Sequence, residues 1–208
     1  MVVWIRPIPT RPYLHRSCAN GDRMNIFYLD KNPRLAAEYH CDKHVVKMIL
    51  ESAQLLSTAH RIVDGSETAE KKYVAGSLPA RWRNTKTWRL NDEREGILYK
   101  SSHINHPSAV WARSNIDHYR YLYDLFVYLI DEYKYRYGGK SHKCESLLGP
   151  LFSAPVAIDC DSSWKDPPQA MPEDCKESDT VKAYRNYYMM YKRDFAKWTR
   201  RSQPNWWT

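Results

Sequence analysis

Three stretches of the chain repeat apolar residues at the spacing of an α-helix and therefore predict long helices. Asn32 is a good N-cap and Pro33 suits the first helical position, so the first helix is expected to begin there. Gly138-Gly139 is a natural stop for the second helix, and Ser178 is a plausible cap for the third. The predicted helices run from Asn32 to about Arg61, from roughly Ser114 to Tyr137 and from about Asp179 to Thr199.

The segments between these helices predict little regular structure. Residues 25–30 form a short strand-like run, whereas residues 67–102 are polar and carry no clear period. Residues 146–176 are rich in proline and predict an irregular wrap over the surface. The pattern as a whole predicts a mainly α protein, a single compact helical domain over residues 24–208 with three long helices and a short N-terminal strand-like segment. Residues 1–23, rich in proline and arginine, are interpreted as a disordered basic arm or as a mis-assigned start.

The first predicted helix carries an unusual stripe of polar residues. At about 100° per residue, six polar side chains fall within a sector of about 80°. They are His40, His44, Lys47, Glu51, Gln54 and Thr58. The rest of the helix is mostly apolar, so we expect it to be buried nearly all round, with the stripe facing a cleft or an internal network.

This stripe supplies the candidate catalytic residues, which are Lys47, Glu51, His44 and His40. A buried lysine can act as a nucleophile, and a carboxylate or histidine beside it can act as an acid or a base. The alternative is that Lys47 and Glu51 form a simple i,i+4 salt bridge and that the histidines are satisfied core residues.

His40 and His44 also lie one turn apart, a spacing at which two histidines bind a metal. Cys41 stands where an HExxH motif needs glutamate, and a third ligand would have to come from a distant residue such as His103 or His106. A metal site is therefore an alternative and not the main prediction. The five cysteines include no CxxC pair, which favours reduced thiols over a disulfide framework or a zinc ribbon. No nucleotide-cofactor motif is present, and no cofactor is predicted.

Composition makes nucleic acid the leading partner. The chain carries 32 Lys and Arg against 24 Asp and Glu, a net charge of +8, and 13% of its residues are aromatic. Phosphates attract such charge and unpaired bases stack on rings, although a basic surface can also serve solubility alone. No stretch approaches the ~18 apolar residues of a membrane span and no signal-peptide pattern opens the chain, so a cytoplasmic protein without a membrane partner is expected.

Two regions supply the predicted contacts with DNA. The first is the loop of residues 103–114, which precedes the second helix. Free amides at a helix N-terminus and the Arg113 guanidinium can bind phosphate there. Trp111, in the same loop, is expected in the core. The stretch 184–207 interleaves rings with cations, although its rings at helical spacing are also typical of core packing with a tail folded back. The candidate nucleic-acid-binding residues are His106, Arg113, Arg185, Lys192 and Trp206.

Most of the chain after residue 23 resembles a family of small, uncharacterised proteins of tailed phages. The resemblance is carried by Met24–Arg61, with its run Ala37-Glu38-Tyr39-His40-Cys41-Asp42-Lys43-His44, and by the blocks His103–Ser114, Tyr133–Gly139 and Tyr184–Trp207. It implies a phage protein at work in an infected bacterial cell.

A weaker resemblance is to the phage pyrimidine-dimer DNA glycosylases of the endonuclease V type, which are compact, basic and all-helical. The shared features are an early helix with His and an acidic residue, a long aromatic second helix and an aromatic, basic C-terminal segment. That family attacks the sugar with an N-terminal amine and uses a glutamate of the first helix as acid–base group. The resemblance implies Glu51 for this glutamate and His40 for the helix histidine. Here 23 residues precede Met24, unlike the family pattern. Either Lys47 replaces the terminal amine as the nucleophile, or the protein performs no imine chemistry.

The leading hypothesis is therefore a DNA-acting enzyme. We expect a base-excision DNA glycosylase and AP lyase of the pyrimidine-dimer type, with an amine nucleophile and a glutamate acid–base group. The alternatives are a non-catalytic nucleic-acid-binding phage protein, a metal-dependent hydrolase and an enzyme that modifies bases or nucleotides.

Overall fold

The computed structural model of the chain describes residues 24–74 and 81–208. These residues are mainly helical, which confirms the mainly α class, and they add one β-hairpin to it. The expectation for residues 1–23 lies outside the described part of the chain. The helices are α1 (Pro33–Tyr39), α2 (Asp42–Val63), α3 (Arg94–Ile97), α4 (Pro107–Ser114), α5 (Ile116–Arg136), α6 (Leu148–Phe152) and α7 (Thr180–Tyr191), the strands are β1 (Ser66–Val74) and β2 (Arg81–Arg89), and two 3₁₀ turns span Lys143–Leu147 and Glu173–Cys175.

The first predicted helix is two helices, so its predicted continuity from Asn32 to Arg61 is wrong. Its start is confirmed, because the Asn32 side chain accepts a hydrogen bond from the Arg34 N–H at 2.9 Å. The chain becomes extended at His40, between α1 and α2. The carbonyl of His40 then accepts a hydrogen bond from Arg136 of α5 at 2.9 Å, and the same guanidinium binds the Asp42 carboxylate at 2.9 Å. A buried cation far along the chain thus satisfies backbone that a continuous helix would have bonded internally.

The start of the second predicted helix is confirmed: α5 begins at Ile116, and Asn115 separates it from the shorter helix α4. The Asn115 side chain caps α5 by accepting a hydrogen bond from the Asp117 N–H at 2.6 Å. The predicted stop is confirmed: α5 ends at Arg136, and Gly138 and Gly139 follow with φ of 70° and 80°. Trp111 of α4 is buried, as expected.

The third predicted helix, α7, is shorter than predicted and ends at Tyr191 instead of Thr199. Its cap is Asp179 and not Ser178. Beyond α7 the chain turns back against the α1–α2 junction. There the Trp198 indole N–H donates to the Tyr39 carbonyl at 3.0 Å, and the Thr199 N–H donates to the Asp42 carboxylate at 3.0 Å. These contacts hold the tail in a path that a continued helix could not follow.

The polar region after α2 contains an antiparallel hairpin that the sequence pattern did not predict. Strands β1 and β2 pair from Ser66 opposite Arg89 to Val74 opposite Arg81. Gly65 starts the hairpin where space is short, since a Cβ there would collide with the carbonyl oxygens of Arg61 and Arg89. Helix α3 follows, so most of the described residues between 67 and 102 belong to regular elements.

The strand-like run after Met24 is buried but irregular, and it joins no strand of the described sheet. It lies in the core with α2, α4 and α5, and its residues Met24 to Leu29 are nearly inaccessible to solvent. The irregular wrap predicted for residues 146–176 is confirmed for residues 153–172 but not at its two ends, where α6 and the second 3₁₀ turn lie. Helices α4 and α5 fix this segment in place: the Trp111 indole N–H donates to the Lys165 carbonyl at 2.7 Å, and the Lys165 N–H donates to His118 at 3.0 Å. No helix in the described residues combines the length and apolarity of a membrane span.

Candidate functional site

The centre of the candidate site is the pair formed by Lys47 and Glu51 on α2. The Lys47 ammonium Nζ lies 3.2 Å from Glu51 Oε1. The two side chains differ in exposure: 42% of Lys47 is accessible to solvent but only 7% of Glu51. The Glu51 carboxylate is therefore buried, whereas the Lys47 amine that it contacts is accessible to solvent and to a ligand.

The second oxygen of the carboxylate is held by the buried N-terminal segment. Glu51 Oε2 accepts a hydrogen bond from the main-chain N–H of Asn25 at 3.0 Å. The Asn25 side chain accepts from the N–H groups of Ile26 and Phe27 at 2.8 and 3.2 Å, and it donates to the Ala170 carbonyl at 3.0 Å. Because the carboxylate is fixed from both sides, its orientation towards Lys47 is set by the fold.

Phe27 follows in a strained backbone conformation beside this carboxylate. Its φ is 51°, in the left-handed region that a bulky residue rarely adopts. The conformation places the Phe27 ring against the His44 ring, with centroids 4.4 Å apart and the planes nearly parallel. Strain of this kind persists only where surrounding contacts enforce it, and it is concentrated at functional sites.

His44 lies one turn before Lys47 and is held neutral. Its Nδ1 forms a short hydrogen bond with the Tyr188 hydroxyl of α7. Burial, the neighbouring His40 ring and the ammonium groups of Lys192 and Lys47 hold the pKa of His44 well below its ordinary value. A neutral imidazole in this place can accept a proton only at the cost of burying a further charge.

Lys192 brings a second, buried ammonium to the same region. Its Nζ donates to the Tyr187 hydroxyl at 3.0 Å and lies 5.8 Å from the centre of the Phe27 ring. Only 4% of Lys192 is exposed. Sequence reasoning assigned this residue to the DNA-binding surface, whereas the structure places it in the wall behind Phe27 and His44.

The predicted polar stripe does not face one cleft. His40, His44, Glu51 and Thr58 are buried, but Lys47 is half exposed and belongs to an exposed strip of α2. That strip also contains Lys43, Val46 and Leu50, so the first half of α2 is not buried all round as predicted. The amine of Lys47 therefore opens onto the molecular surface, with a second lysine one turn before it.

His40 is separated from the Lys47–Glu51 pair by its position at the helix break. The ring is fully buried, and Nδ1 lies 2.6 Å from the Ala36 carbonyl oxygen. Burial lowers the pKa of His40 to about 4, although the Ala36 carbonyl opposes the shift, and the Arg136 charge lowers it further. His40 is thus buried in the core. It acts on the site only as a neighbour of His44, and its predicted catalytic role stays a prediction.

Another buried histidine, His60, is neutral for a similar reason. Burial and then the Arg94 charge lower its pKa to about 4. Arg94 has no acceptor, so Nδ1 of His60 accepts its hydrogen bond at 2.9 Å. The proton of the neutral ring then lies on Nε2 and points to the Tyr119 hydroxyl at 2.8 Å, which itself donates to the Leu151 carbonyl at 2.8 Å.

We expect the free energy of unfolding to fall as the pH is lowered from 6.5 towards 4. His40 and His60 take up protons near pH 6.5 in the unfolded chain but only near pH 4 in the folded one, so the unfolded state binds more protons between these values. Each ring contributes a loss of about 1.4 kcal/mol per pH unit, or about 2 kcal/mol each at pH 5. Urea unfolding at pH 7, 6 and 5 measures the slope.

The variant His60→Gln serves as the control for this pH dependence. Glutamine does not titrate, so the slope should fall by the contribution of one ring even if the variant is less stable at every pH. A free energy of unfolding that stays level between pH 6.5 and 5 would contradict the assignment of neutral buried imidazoles.

The five predicted DNA-binding residues are not brought together. His106 caps α4 through Nδ1, which accepts from the Ser108 N–H at 3.2 Å. Arg185 donates to the Leu29 carbonyl at 3.0 Å and to the Asp30 carboxylate at 3.1 Å. Its guanidinium also lies 5.4 Å from the centre of the Trp206 ring.

The C-terminal tail folds back onto the body of the protein. The Trp206 ring packs edge-on against Tyr39 of α1 and Tyr188 of α7. Arg185, Lys192 and Trp206 are therefore engaged in internal contacts. Contact between these side chains and DNA stays a prediction.

Arg113 differs from the other predicted DNA-binding residues. Its Nη1 is buried and has no hydrogen-bond partner among the described residues, and burial lowers its pKa. It lies in the last turn of α4. Phosphate binding by Arg113 is likewise a prediction.

The metal alternative finds no further support in the side chains. Within residues 24–74 and 81–208, no group of three His, Cys, Asp or Glu side chains is close enough to bind a metal ion. His40 and His44 therefore have no third ligand of these kinds among those residues. The four cysteines in this part of the chain are free thiols, and Cys18 lies outside it.

Sequence reasoning missed Asn25 and Phe27 as parts of the site. Asn25 precedes Glu51 by 26 positions, and no local spacing relates the two. The only signal was the compact run after Met24, which predicted a strand and not a segment that fixes a carboxylate.

Comparisons with protein families, with curated proteins and with solved structures found no match to this chain.

Proposed function

We propose that the protein is a DNA-acting enzyme of the base-excision class, a DNA glycosylase with AP lyase activity of the pyrimidine-dimer type. Lys47 is the amine nucleophile and Glu51 the acid–base group. The observation that carries this proposal is the 3.2 Å approach of an accessible lysine amine to a buried, oriented carboxylate. The weaker resemblance to the pyrimidine-dimer glycosylases supports the same pairing of an amine with a glutamate of an early helix.

Among the contacts of Glu51 with described residues are two with nitrogen atoms, the Lys47 amine and the main-chain nitrogen of Asn25. The Asn25 nitrogen belongs to a peptide bond, so its lone pair is delocalised and it is not a nucleophile. Of these two nitrogen atoms, the proposal assigns that of Lys47 as the nucleophile. Glu51 can take a proton from Lys47 without moving.

The proposed reaction begins when Glu51 takes a proton from the Lys47 ammonium and the neutral amine attacks C1′ of a deoxyribose. The Nζ–C1′ bond forms, the bond from C1′ to the base breaks, and the base leaves with the bonding electron pair and takes that proton from Glu51. The amine passes a proton to Glu51, which returns it to O4′ as the C1′–O4′ bond breaks and an imine forms. Loss of a C2′ proton from the imine then expels the 3′ phosphate, which is the lyase step.

Two further features favour a nucleic acid over a small substrate. The amine lies on an exposed strip and not inside a deep cavity, so it can reach a sugar that stays attached to a large polymer. Lys43, also exposed, lies one turn before Lys47 and is placed to hold a phosphate beside the reacting sugar. His44 and Lys192 lie behind the pair; their roles in the proposal are to orient Phe27 and to keep the wall of the site rigid.

The test uses the full chain and duplex DNA with one defined pyrimidine dimer, incubated with borohydride. We expect a covalent adduct on the damaged duplex and none on the matched undamaged duplex, because borohydride reduces the imine to a stable amine. Peptide mapping of the adduct by mass spectrometry should locate the sugar on Lys47.

A duplex with a single abasic site separates the two halves of the activity. An adduct with the abasic-site duplex but not with the pyrimidine-dimer duplex would support the proposed lyase activity and contradict the proposed glycosylase activity. An adduct on an α-amine would keep the reaction class and replace Lys47 as nucleophile. If neither DNA gives an adduct or a strand break, the proposed chemistry is wrong.

A further inference from the structure

The hairpin β1–β2 presents charged and aromatic side chains that the proposed site does not use. Its strands carry six Lys or Arg and two Glu, a net charge of +4 in a chain whose net charge is +8. The two carboxylates are engaged close to the body: Glu67 pairs with Lys86 at 2.8 Å, and Glu70 pairs with Arg89. The distal residues 71–74 and 81–84 include four cations and no carboxylate.

The distal half also exposes two large rings side by side. Tyr73 and Trp82 are register partners and therefore share one face of the hairpin. Their ring centroids are 5.5 Å apart, and the residues are 56% and 66% exposed. Large rings are usually buried, and a pair this exposed in the distal half of the hairpin marks an interaction surface.

The same face provides a cation and an amide next to the rings. Lys71 is the register partner of Asn84, and both lie two positions nearer the body than the ring pair. A cavity of about 490 Å³ is lined by Lys71, Trp82 and Asn84. The Trp82 ring, the Lys71 ammonium and the Asn84 amide thus line one pocket, which suits a flat nucleobase and the phosphate attached to its sugar.

We propose that this hairpin is a DNA-binding arm, in which Trp82 and Tyr73 stack on an unpaired base and Lys71 holds a flanking phosphate. Base stacking on aromatic side chains is tolerant of sequence, and the cations add an electrostatic attraction that weakens with salt. The choice of DNA as the nucleic acid rests on the proposed function. The need for an unpaired base follows from the rings, because a stacked duplex offers them no open face.

The experiment measures binding of the full chain to a labelled duplex with one unpaired nucleotide by fluorescence anisotropy. Trp82→Ala should weaken binding by about 5- to 150-fold, the range for loss of one stacked base. Trp82→Phe should restore most of the affinity because it keeps a ring. Phe152→Ala is the matched control, since Phe152 is 73% exposed but lies far along the chain on α6.

The charge contribution is read from the salt dependence of the same binding. Lys71→Gln should reduce the slope of log K against log salt by about 0.7 to 0.9, the contribution of one phosphate contact. Lys140→Gln, which removes an exposed lysine elsewhere, should leave the slope unchanged.

The hairpin proposal is overturned if Trp82→Ala binds as tightly as Phe152→Ala, or if an RNA of the same sequence and shape binds more tightly through the same residues. Its failure is distinguishable from that of the proposed chemistry. If a borohydride-trapped adduct forms at the normal rate in Trp82→Ala, the proposed chemistry is supported and DNA binding by the hairpin is contradicted. If binding depends on the hairpin but no adduct forms, DNA binding by the hairpin is supported and the glycosylase proposal is contradicted.

Discussion

Replacing Lys47 by arginine should abolish the borohydride-trapped adduct while the protein stays folded and still binds DNA. Arginine keeps the positive charge, but its guanidinium stays protonated at all accessible pH values and so offers no lone pair to C1′. The fold should tolerate the change, because Lys47 is 42% exposed and an arginine there can keep the ion pair with the buried Glu51 carboxylate.

Replacing Glu51 by glutamine should slow adduct formation by about 10²- to 10⁴-fold, the usual contribution of a positioned acid–base group. Glutamine keeps an oxygen that can accept the hydrogen bond from the Asn25 N–H, so the buried segment stays anchored. It cannot carry a proton between the Lys47 amine and the sugar oxygen. The loss should therefore appear in the rate of the chemical step and not in the affinity for DNA.

Lys43→Gln is the matched control for both variants, since it removes an exposed cation one turn away on the same strip of α2. It should weaken DNA binding slightly and leave the rate within the bound complex unchanged. Single-turnover trapping at saturating protein compares the three variants with the wild type. If Glu51→Gln reacts at the wild-type rate, Lys47 and Glu51 are the simple salt bridge that sequence analysis held as the alternative.

The sequence predicted the site where the signal was local. Lys47 and Glu51 are four residues apart, so the helical period alone places them together, and the contact at 3.2 Å has that origin. The ends of the helices at Pro33 and Gly138 were predictable for the same reason, because proline and glycine restrict or free the backbone at their own positions.

The errors arose where distant residues decide the local conformation. Helix α1 ends at Tyr39 because Arg136, almost 100 positions later, takes up the freed carbonyls. Helix α7 ends early because the tail binds Asp42 and Tyr39. A buried guanidinium and a docked tail leave no trace in the hydrophobic period of the helices that they interrupt.

The hairpin was missed because most of its side chains are exposed or half exposed on both faces. Strands with only one buried face alternate apolar and polar residues, and this alternation is the signal that sequence analysis reads. Here Trp82 and Tyr73 face solvent among cations, so no alternation exists. An exposed two-stranded hairpin needs another source of stability, and the contacts where it joins the body of the protein supply one.

That source is Arg61, whose guanidinium lies fully buried where the hairpin leaves the body. It donates to the carbonyl oxygens of Tyr99 at 2.6 Å, Trp88 at 3.1 Å, and Glu95 and Leu98 at 3.0 Å each. It also forms an ion pair with the Glu95 carboxylate. One side chain thus ties the end of α2 to strand β2 and to the segment that contains α3.

Replacing Arg61 by methionine should reduce the free energy of unfolding by about 3–5 kcal/mol, because four carbonyl oxygens lose their donor at about 1 kcal/mol each. Methionine fills much of the volume, and the Glu95 carboxylate keeps Arg89 and the Leu90 N–H as donors. Arg61→Lys should lose less stability than Arg61→Met because its ammonium keeps the charge, although it cannot donate in all these directions at once.

Unfolding in guanidinium chloride, followed by circular dichroism, measures the loss of stability. Arg120→Ala is the control, since Arg120 is an exposed residue whose ion pair should contribute within about 0.5 kcal/mol. Hydrogen exchange should show residues 66–102 opening before the rest of the protein in Arg61→Met. A loss below about 1 kcal/mol would mean that the hairpin is held by its own strand pairing and not by Arg61.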